Sequence, residues 1–183
     1  SHRRQRQMCI RDSDRVSGKG AIAAGNINTA QAGNEILAAG GNAFDAAVAA
    51  SLTSFVAEPS LTTAGGGGFL LAAPTDEKPV LFDFFVQTPK RKRPVSQIDF
   101  YPITVDFGGA LQDFHLGLGA MGVPGNIAGL FHVQKRLGRL PMQMVAQPAI
   151  ELAKNGATIT PFQGHCMELL APALTATDEA KLI

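Results

Sequence analysis

The sequence is poor in the residues that mark several classes of protein. It has no Trp and one Tyr, and its two cysteines stand far apart, at Cys9 and Cys166. So few stacking rings give little support for binding to nucleobases, and two cysteines are too few for a disulfide framework. No apolar run reaches the roughly 18 residues of a membrane-spanning helix. We therefore expect neither a nucleic-acid partner nor a membrane span.

Charge is also scarce. Charged residues make up 17% of the chain and the net charge is +1, against about 25% charged residues in an average soluble domain. No global field therefore favours nucleic acid or a membrane surface. The basic run at residues 90–93 is interpreted as a solvated loop. Residues 1–18 are polar and basic, lack the apolar core of a signal peptide, and are predicted to be a disordered or non-native tail.

What is abundant is apolar sequence, 45% of the chain, and its pattern predicts several helices. Asn28 is expected to cap a first helix that ends at Gly40. Asn42 is expected to cap a second, Ala43–Ala57, with Asp45 in its first turn. Because that helix is apolar nearly all round, we expect it to be buried against a sheet. Further helices are predicted after a cap at Asn126, over residues 141–154, and from residue 160 to the end of the chain.

Short apolar runs predict strands between these helices. Residues 21–24 fit a buried strand, and residues 69–73 and 80–86 fit a hairpin of core strands covered on both faces. Residues 88–119 mix Pro, Gly and charge and are predicted to be irregular. The sequence thus indicates an α/β (α+β) fold whose second half is mainly helical.

The glycine run at residues 65–68 is the most conspicuous local motif. A phosphate loop would need Lys-Ser/Thr after it and a helix beyond, whereas here a strand follows. Two interpretations remain open: the glycine backbone lines a substrate pocket, or it allows a bend and close packing.

Other candidate residues have mainly structural interpretations. Asp45 is expected to cap its helix rather than act as an acid. Asp83 interrupts an apolar strand, so it is either a site residue or a paired structural carboxylate. No second His or Cys stands three or four residues from His115, His132 or His165, so no metal site is predicted. Cys166 adjoins His165, but adjacent residues on a helix point apart.

Two blocks of sequence resemble the start of the large subunit of γ-glutamyltransferases. The first contains Gly40-Gly41-Asn42-Ala43, Asp45-Ala46-Ala47-Val48-Ala49, Glu58-Pro59 and Gly65-Gly66-Gly67-Gly68-Phe69. The second contains Val123-Pro124-Gly125, Gly138-Arg139-Leu140-Pro141 and Pro148-Ala149-Ile150. Together the matches span about residues 20–165. The resemblance identifies residues 19–183 as the N-terminal fragment of one γ-glutamyltransferase-like domain.

The resemblance implies an N-terminal-nucleophile hydrolase: an αββα sandwich, here partial, with a helical lobe. It implies a precursor that cleaves itself, so the partners would be the small subunit and a small γ-glutamyl or other amide substrate. The nucleophile would be the Thr freed at the start of the small subunit, beyond residue 183. No catalytic residue is therefore assigned here, no cofactor is expected, and this chain alone should be inactive. The resemblance also suggests a periplasmic or extracellular location.

One departure from the family bears on the substrate. Typical members carry Asp-Gly-Arg-Glu-Thr-Ala-Pro in the strand where this chain has Asp83-Phe84-Phe85-Val86-Gln87-Thr88-Pro89. By position Phe85 replaces the Arg that grips the α-carboxylate of the glutamyl group, and a phenyl ring cannot form that clamp. Phe85 is thus the one candidate substrate-binding residue. The alternatives to γ-glutamyl transfer are an amidase or acylase of the same fold and a noncatalytic binding domain.

Overall fold

The computed structural model describes residues 20–178 and 180–182, so the predicted tail at residues 1–18 lies outside the described residues. The helices are α1 Ile27–Ala38, α2 Ala43–Ala57, α3 Asn126–Leu137, α4 Met142–Asn155 and α5 Pro161–Leu174. The strands are β1 Phe69–Ala72, β2 Val80–Asp83, β3 Tyr101–Asp106 and β4 Leu111–Leu116. Helices and strands are mixed, and α3 to α5 make the second half mainly helical, as predicted.

Helix α1 begins slightly earlier than the sequence predicts. Its cap is Asn26, whose Oδ1 accepts a hydrogen bond from the N–H of Asn28 at 2.9 Å. The prediction that Asn28 is the cap is therefore wrong, because both asparagines suit a helix start and the earlier one takes the role. The helix ends at Ala38, and the expected stop follows at Gly40, which has a φ of 91°.

Helix α2 is the centre of the core. Asn42 and Asp45 form a reciprocal capping box at its start, as predicted. Ala43 alone among its residues is exposed, which confirms the buried helix. It packs most extensively on α1 and α4, and its Val48 and Ala49 join the core cluster that contains Ala72 and Phe82 of the first hairpin.

Strands β1 and β2 pair as an antiparallel hairpin with Phe69 opposite Asp83 and Leu71 opposite Leu81. One face packs on the core through Ala72 and Phe82. The other is exposed: Phe69 is 58% accessible, Leu71 71% and Leu81 60%. The prediction that both faces are covered is therefore wrong for this chain, since only one layer packs on the hairpin within the described residues.

Residues 101–116 form a second hairpin where an irregular segment was predicted. Strands β3 and β4 pair from Tyr101↔Leu116 to Asp106↔Leu111, and β3 packs against α5. The turn uses Gly108 and Gly109, with φ of 81° and 100°, a conformation in which glycine has no steric cost. Pro102 obscured this strand because proline occurs in sheets mainly at edges, and a two-stranded sheet consists of edges.

Two further predictions about element boundaries are wrong. Residues 21–24 form no strand, because no described segment offers them a partner. Helix α5 starts with the expected capping box of Thr160 and Gln163 but ends at Leu174 rather than continuing to the end of the chain. Pro148 is accommodated inside α4, which continues as one helix.

Candidate functional site

The glycine run holds three segments together at the entrance of β1. The carbonyl oxygen of Gly66 accepts hydrogen bonds from the N–H groups of Gly125 and Asn126 at 2.9 and 3.1 Å. A Cβ on Gly67 would lie 2.7 Å from the carbonyl carbon of Phe85, closer than real contacts allow. Close packing therefore explains why this run is glycine.

Three glycines of the run also line a cavity of about 320 Å³, so the glycine backbone forms part of a pocket wall; they are Gly66, Gly67 and Gly68. Asn126 lies at its edge and is 9% accessible. Its Nδ2 donates to the carbonyl oxygen of Thr63 at 2.7 Å. The prediction that Asn126 caps α3 is wrong: Gly125 is the cap, and the Asn126 amide instead fixes the loop before the glycine run. The sequence carries no signal for this contact, since 63 residues separate the two partners.

The backbone on both sides of Phe85 is fixed. Phe84 donates from its N–H to the carbonyl oxygen of Gly68 at 3.1 Å, and Gln87 exchanges hydrogen bonds with Val123 at 2.7 and 3.2 Å. The Phe84 ring sits on Gly129 of α3, where any added Cβ would overlap it. Phe85 is thus carried on a short stretch of chain anchored to β1 and to the loop before α3.

Phe85 itself lies on the open side of the hairpin, 49% accessible. Its ring stacks on that of Phe69, with centroids 5.4 Å apart and planes 9° from parallel. Its N–H donates to Asp83 Oδ1 at 3.0 Å. Phe69 was not predicted as a neighbour of Phe85, although strand register was the signal that could have indicated it.

Asp83 is exposed, which corrects the prediction of a buried carboxylate in a core strand. Its side chain points to the uncovered face, where it accepts the Phe85 N–H. Within the described part of the chain no Lys or Arg forms an ion pair with it. The basic residues 90–93 are all exposed, as the solvated-loop interpretation predicts.

Asp45 is fully buried and acts as a structural tie. Its carboxylate accepts from the N–H of Asn42 at 2.7 Å, of Arg139 at 3.0 Å and of Leu140 at 3.1 Å, and from Nε2 of Gln134. Burial alone would raise the pKa of Asp45, but these hydrogen bonds, that of Gln134 foremost, hold the pKa below its ordinary value. The expected capping role is confirmed, and the carboxylate also fixes the α3–α4 loop.

The histidines and the cysteine do not converge. His115 stacks on Phe100 with centroids 4.5 Å apart, and His132 packs edge-on against Phe82 at 5.8 Å. Cys166 is half-buried on α5. Among the residues that the structure describes, no three His, Cys, Asp or Glu side chains are grouped to hold a metal ion. Nor is any described helix long and apolar enough to cross a membrane.

Comparison with known proteins gives a consistent set of relatives. Glutathione hydrolase 3 of Arabidopsis thaliana is 36% identical over 152 residues, which are 82% of this chain and 22% of that protein. Glutathione hydrolase proenzyme of Pseudomonas aeruginosa is 37% identical over 145 residues, 79% of this chain and 25% of that protein. Acylase ACY 1 proenzyme of Pseudomonas sp. strain V22 is 34% identical over 154 residues, 81% and 27% respectively. The chain thus spans about a quarter of the length of these relatives.

Solved structures agree with the fold. The Helicobacter pylori gamma-glutamyltranspeptidase aligns with a TM-score of 0.74 at 26% identity, over 94% of this chain and 47% of that one. The enzyme from Pseudomonas nitroreducens aligns with a TM-score of 0.71 at 30% identity, over 88% and 47%. The expected N-terminal-nucleophile hydrolase fold, present in part, is confirmed. The family model described as Gamma-glutamyltranspeptidase matches residues 29–182, and the chain belongs to that family.

Proposed function

We propose that the protein containing this chain is a γ-glutamyltransferase-like or glutathione hydrolase-like enzyme, and that the chain forms the N-terminal part of its large subunit. The observation that carries the proposal is the family match over residues 29–182. The named relatives that are proenzymes, from Pseudomonas aeruginosa and Escherichia coli, support a precursor that is processed.

The proposed chemistry is acyl transfer from an amide. The hydroxyl of a Thr at the start of the small subunit attacks the amide carbonyl while the α-amino group of that Thr takes the proton. The amine leaves, and water or a second amine then takes the acyl group from the ester intermediate. This chain contributes no nucleophile to that sequence; its contribution is the β1–β2 hairpin, which binds and orients the acyl group.

Phe85 determines how well the protein recognises a glutamyl substrate such as glutathione. At the position of the family's carboxylate-binding Arg, its ring offers no charge-assisted bond. Loss of such a bond costs about 1.5–3 kcal/mol, or roughly one to two decades in affinity. Recognition of a glutamyl α-carboxylate should be weakened unless the nearby basic residues 90–93 supply a replacement.

An acylase with a different acyl specificity is the second candidate function. The stacked, accessible rings of Phe85 and Phe69 favour it, and an acylase named ACY 1 is among the relatives at 34% identity. Both candidates share the fold, the nucleophile and the ester intermediate. They differ only in the group that lies against the hairpin.

A substrate comparison tests both candidates. The processed protein is assayed with 4-nitroanilides of γ-glutamate, glutarate and phenylacetate, beside a variant with Ala at the first residue of the small subunit. Hydrolysis of any of them that the Ala variant lacks supports the proposed reaction class. A protein that neither processes itself nor cleaves any anilide is a noncatalytic member, and the proposal is then wrong.

A further inference from the structure

Phe69 and Phe85 form an aromatic platform, defined here as these two stacked rings on the open face of the β1–β2 hairpin. We propose that the platform selects the acyl group, and that it accepts flat, uncharged, aromatic acyl groups in preference to carboxylate-bearing ones. Phe69 is then a specificity-determining residue beside Phe85. This inference rests on the proposed amide-cleaving function and names its substrate class.

Strand register places the two rings together. Phe69 stands opposite Asp83, so continuing the antiparallel pairing by two residues sets Gly67 opposite Phe85. Phe69 and Phe85 are therefore diagonal neighbours on one face, a distance that aromatic side chains span. Because Gly67 has no side chain, no side chain stands directly opposite Phe85, and its ring packs on that of Phe69 instead. The result is a nearly parallel stack, 5.4 Å between centroids.

The platform is held in place before any ligand arrives. Phe84 is hydrogen-bonded to Gly68 on one side of Phe85, and Gln87 to Val123 on the other. The Asp83 carboxylate fixes the N–H of Phe85 directly. A preformed wall loses little conformational freedom on binding, so most of its contact energy appears as affinity.

Charge on the same face determines which ligands are favoured. Asp83 lies between Leu81 and Phe85 on the exposed side of β2, and it has no cationic partner within the described residues. Its carboxylate repels a substrate carboxylate, whereas two accessible rings attract another flat ring. The arrangement thus disfavours an anionic acyl group and favours an aromatic one.

The competing explanation is that the two rings only fill space between this hairpin and the layer that covers it. In that case loss of one ring should harm folding or processing and lower activity toward every substrate alike. A selective platform predicts instead that the ratio between substrates changes. The ratio of kcat/KM between two substrates therefore distinguishes the two explanations.

The experiment compares kcat/KM for phenylacetyl and glutaryl 4-nitroanilides on the processed protein. The variants are Phe69→Leu, which removes the ring but keeps a large apolar side chain, Phe69→Ala, and Leu81→Ala as a control. Leu81 lies on the same face, 60% accessible, but outside the platform. We expect the phenylacetyl preference to fall about tenfold in both Phe69 variants, mainly through KM, and to change less than twofold in Leu81→Ala. Competitive inhibition by phenylacetate should weaken by a similar factor.

The possible outcomes distinguish the two proposals. If amides are cleaved but Phe69→Leu leaves the ratio unchanged, or if Leu81→Ala shifts it as much, the platform does not select the acyl group. If the wild type prefers glutaryl over phenylacetyl, the assigned substrate class is wrong. If no anilide is cleaved, the proposed function itself fails, and the inference fails with it.

Discussion

At the scale of single residues, two carboxylates show how environment sets their roles. Asp45 is fully buried and accepts hydrogen bonds from three backbone N–H groups and one side-chain amide. Asp83 is exposed and accepts one, from Phe85. Asp45 therefore contributes to the stability of the fold, whereas Asp83 contributes negative charge to the exposed face of the hairpin.

Replacing Asp45 by Ala should destabilise the fold by about 2–4 kcal/mol, because the buried Gln134 amide and the N–H groups of Arg139 and Leu140 lose a charged acceptor. Thermal and urea unfolding measure this loss. The matched control is Asp83→Ala, for which a change within about 0.5 kcal/mol is expected. Equal effects of the two substitutions would show that Asp45 does not tie the α3–α4 loop.

The lowered pKa of Asp45 also predicts an acid limb of stability. A carboxyl whose folded pKa lies below its unfolded value, about 3.9, contributes stability that is present above that value and lost as pH falls through the folded pKa. Unfolding free energy should thus fall below about pH 4. In Asp45→Asn this part of the pH dependence should disappear; an unchanged acid limb would assign it to other carboxyls.

Phe85→Arg should restore γ-glutamyl recognition. The new guanidinium would occupy the family's carboxylate-binding position, and kcat/KM for a γ-glutamyl anilide should rise about tenfold or more. Phe85→Leu serves as the control and should bring no gain. A wild type that already prefers γ-glutamyl donors, with no gain from Phe85→Arg, would show that the strand alignment is wrong.

At the scale of elements, capping and turn residues predicted most of the helix starts and ends that the sequence indicated correctly. The capping boxes at Asn42 and Thr160 and the stop at Gly40 are local, so they are readable without the fold. The contacts that were not predicted join distant partners: Asn126 with Thr63, for which the sequence carries no signal, and Phe69 with Phe85, for which strand register is the signal. Family resemblance indicated Phe85 as a candidate substrate-binding residue. Strand register identifies its neighbour, Phe69.

The helical glycines Gly129 and Gly164 have different surroundings, so replacing each by Ala should change the stability of the fold in opposite directions. A Cβ on Gly129 would overlap the Phe84 ring, whereas a Cβ on Gly164 in α5 would meet no atom within 4 Å apart from its chain neighbours and its own helix backbone. Gly129→Ala should destabilise by about 1–3 kcal/mol through overpacking. Gly164→Ala should stabilise by up to about 1 kcal/mol through helix propensity. Stabilisation by both substitutions, measured by urea unfolding, would mean that Phe84 is not seated on α3.

At the scale of the whole molecule, the first hairpin has an exposed apolar face. Such a face is expected if this chain forms only part of the αββα sandwich. Phe69, Leu71 and Leu81 are more than half accessible, and the chain aligns with 47% of the solved Helicobacter pylori chain. The 183-residue chain alone is therefore predicted to release no nitroaniline from any of the three anilides and to associate through this face. Activity that follows the purified chain would contradict the assignment of the nucleophile to another segment.

The most direct test of the central claim is the mass and N-terminal sequence of the complete protein after purification. The account predicts two polypeptides, the second beginning with Thr, and a single uncleaved polypeptide when that Thr is replaced by Ala. It also predicts that the cleaved form hydrolyses an amide and the uncleaved form does not. A complete protein that stays in one piece, or whose second polypeptide begins with a residue that cannot act as a nucleophile, would contradict it.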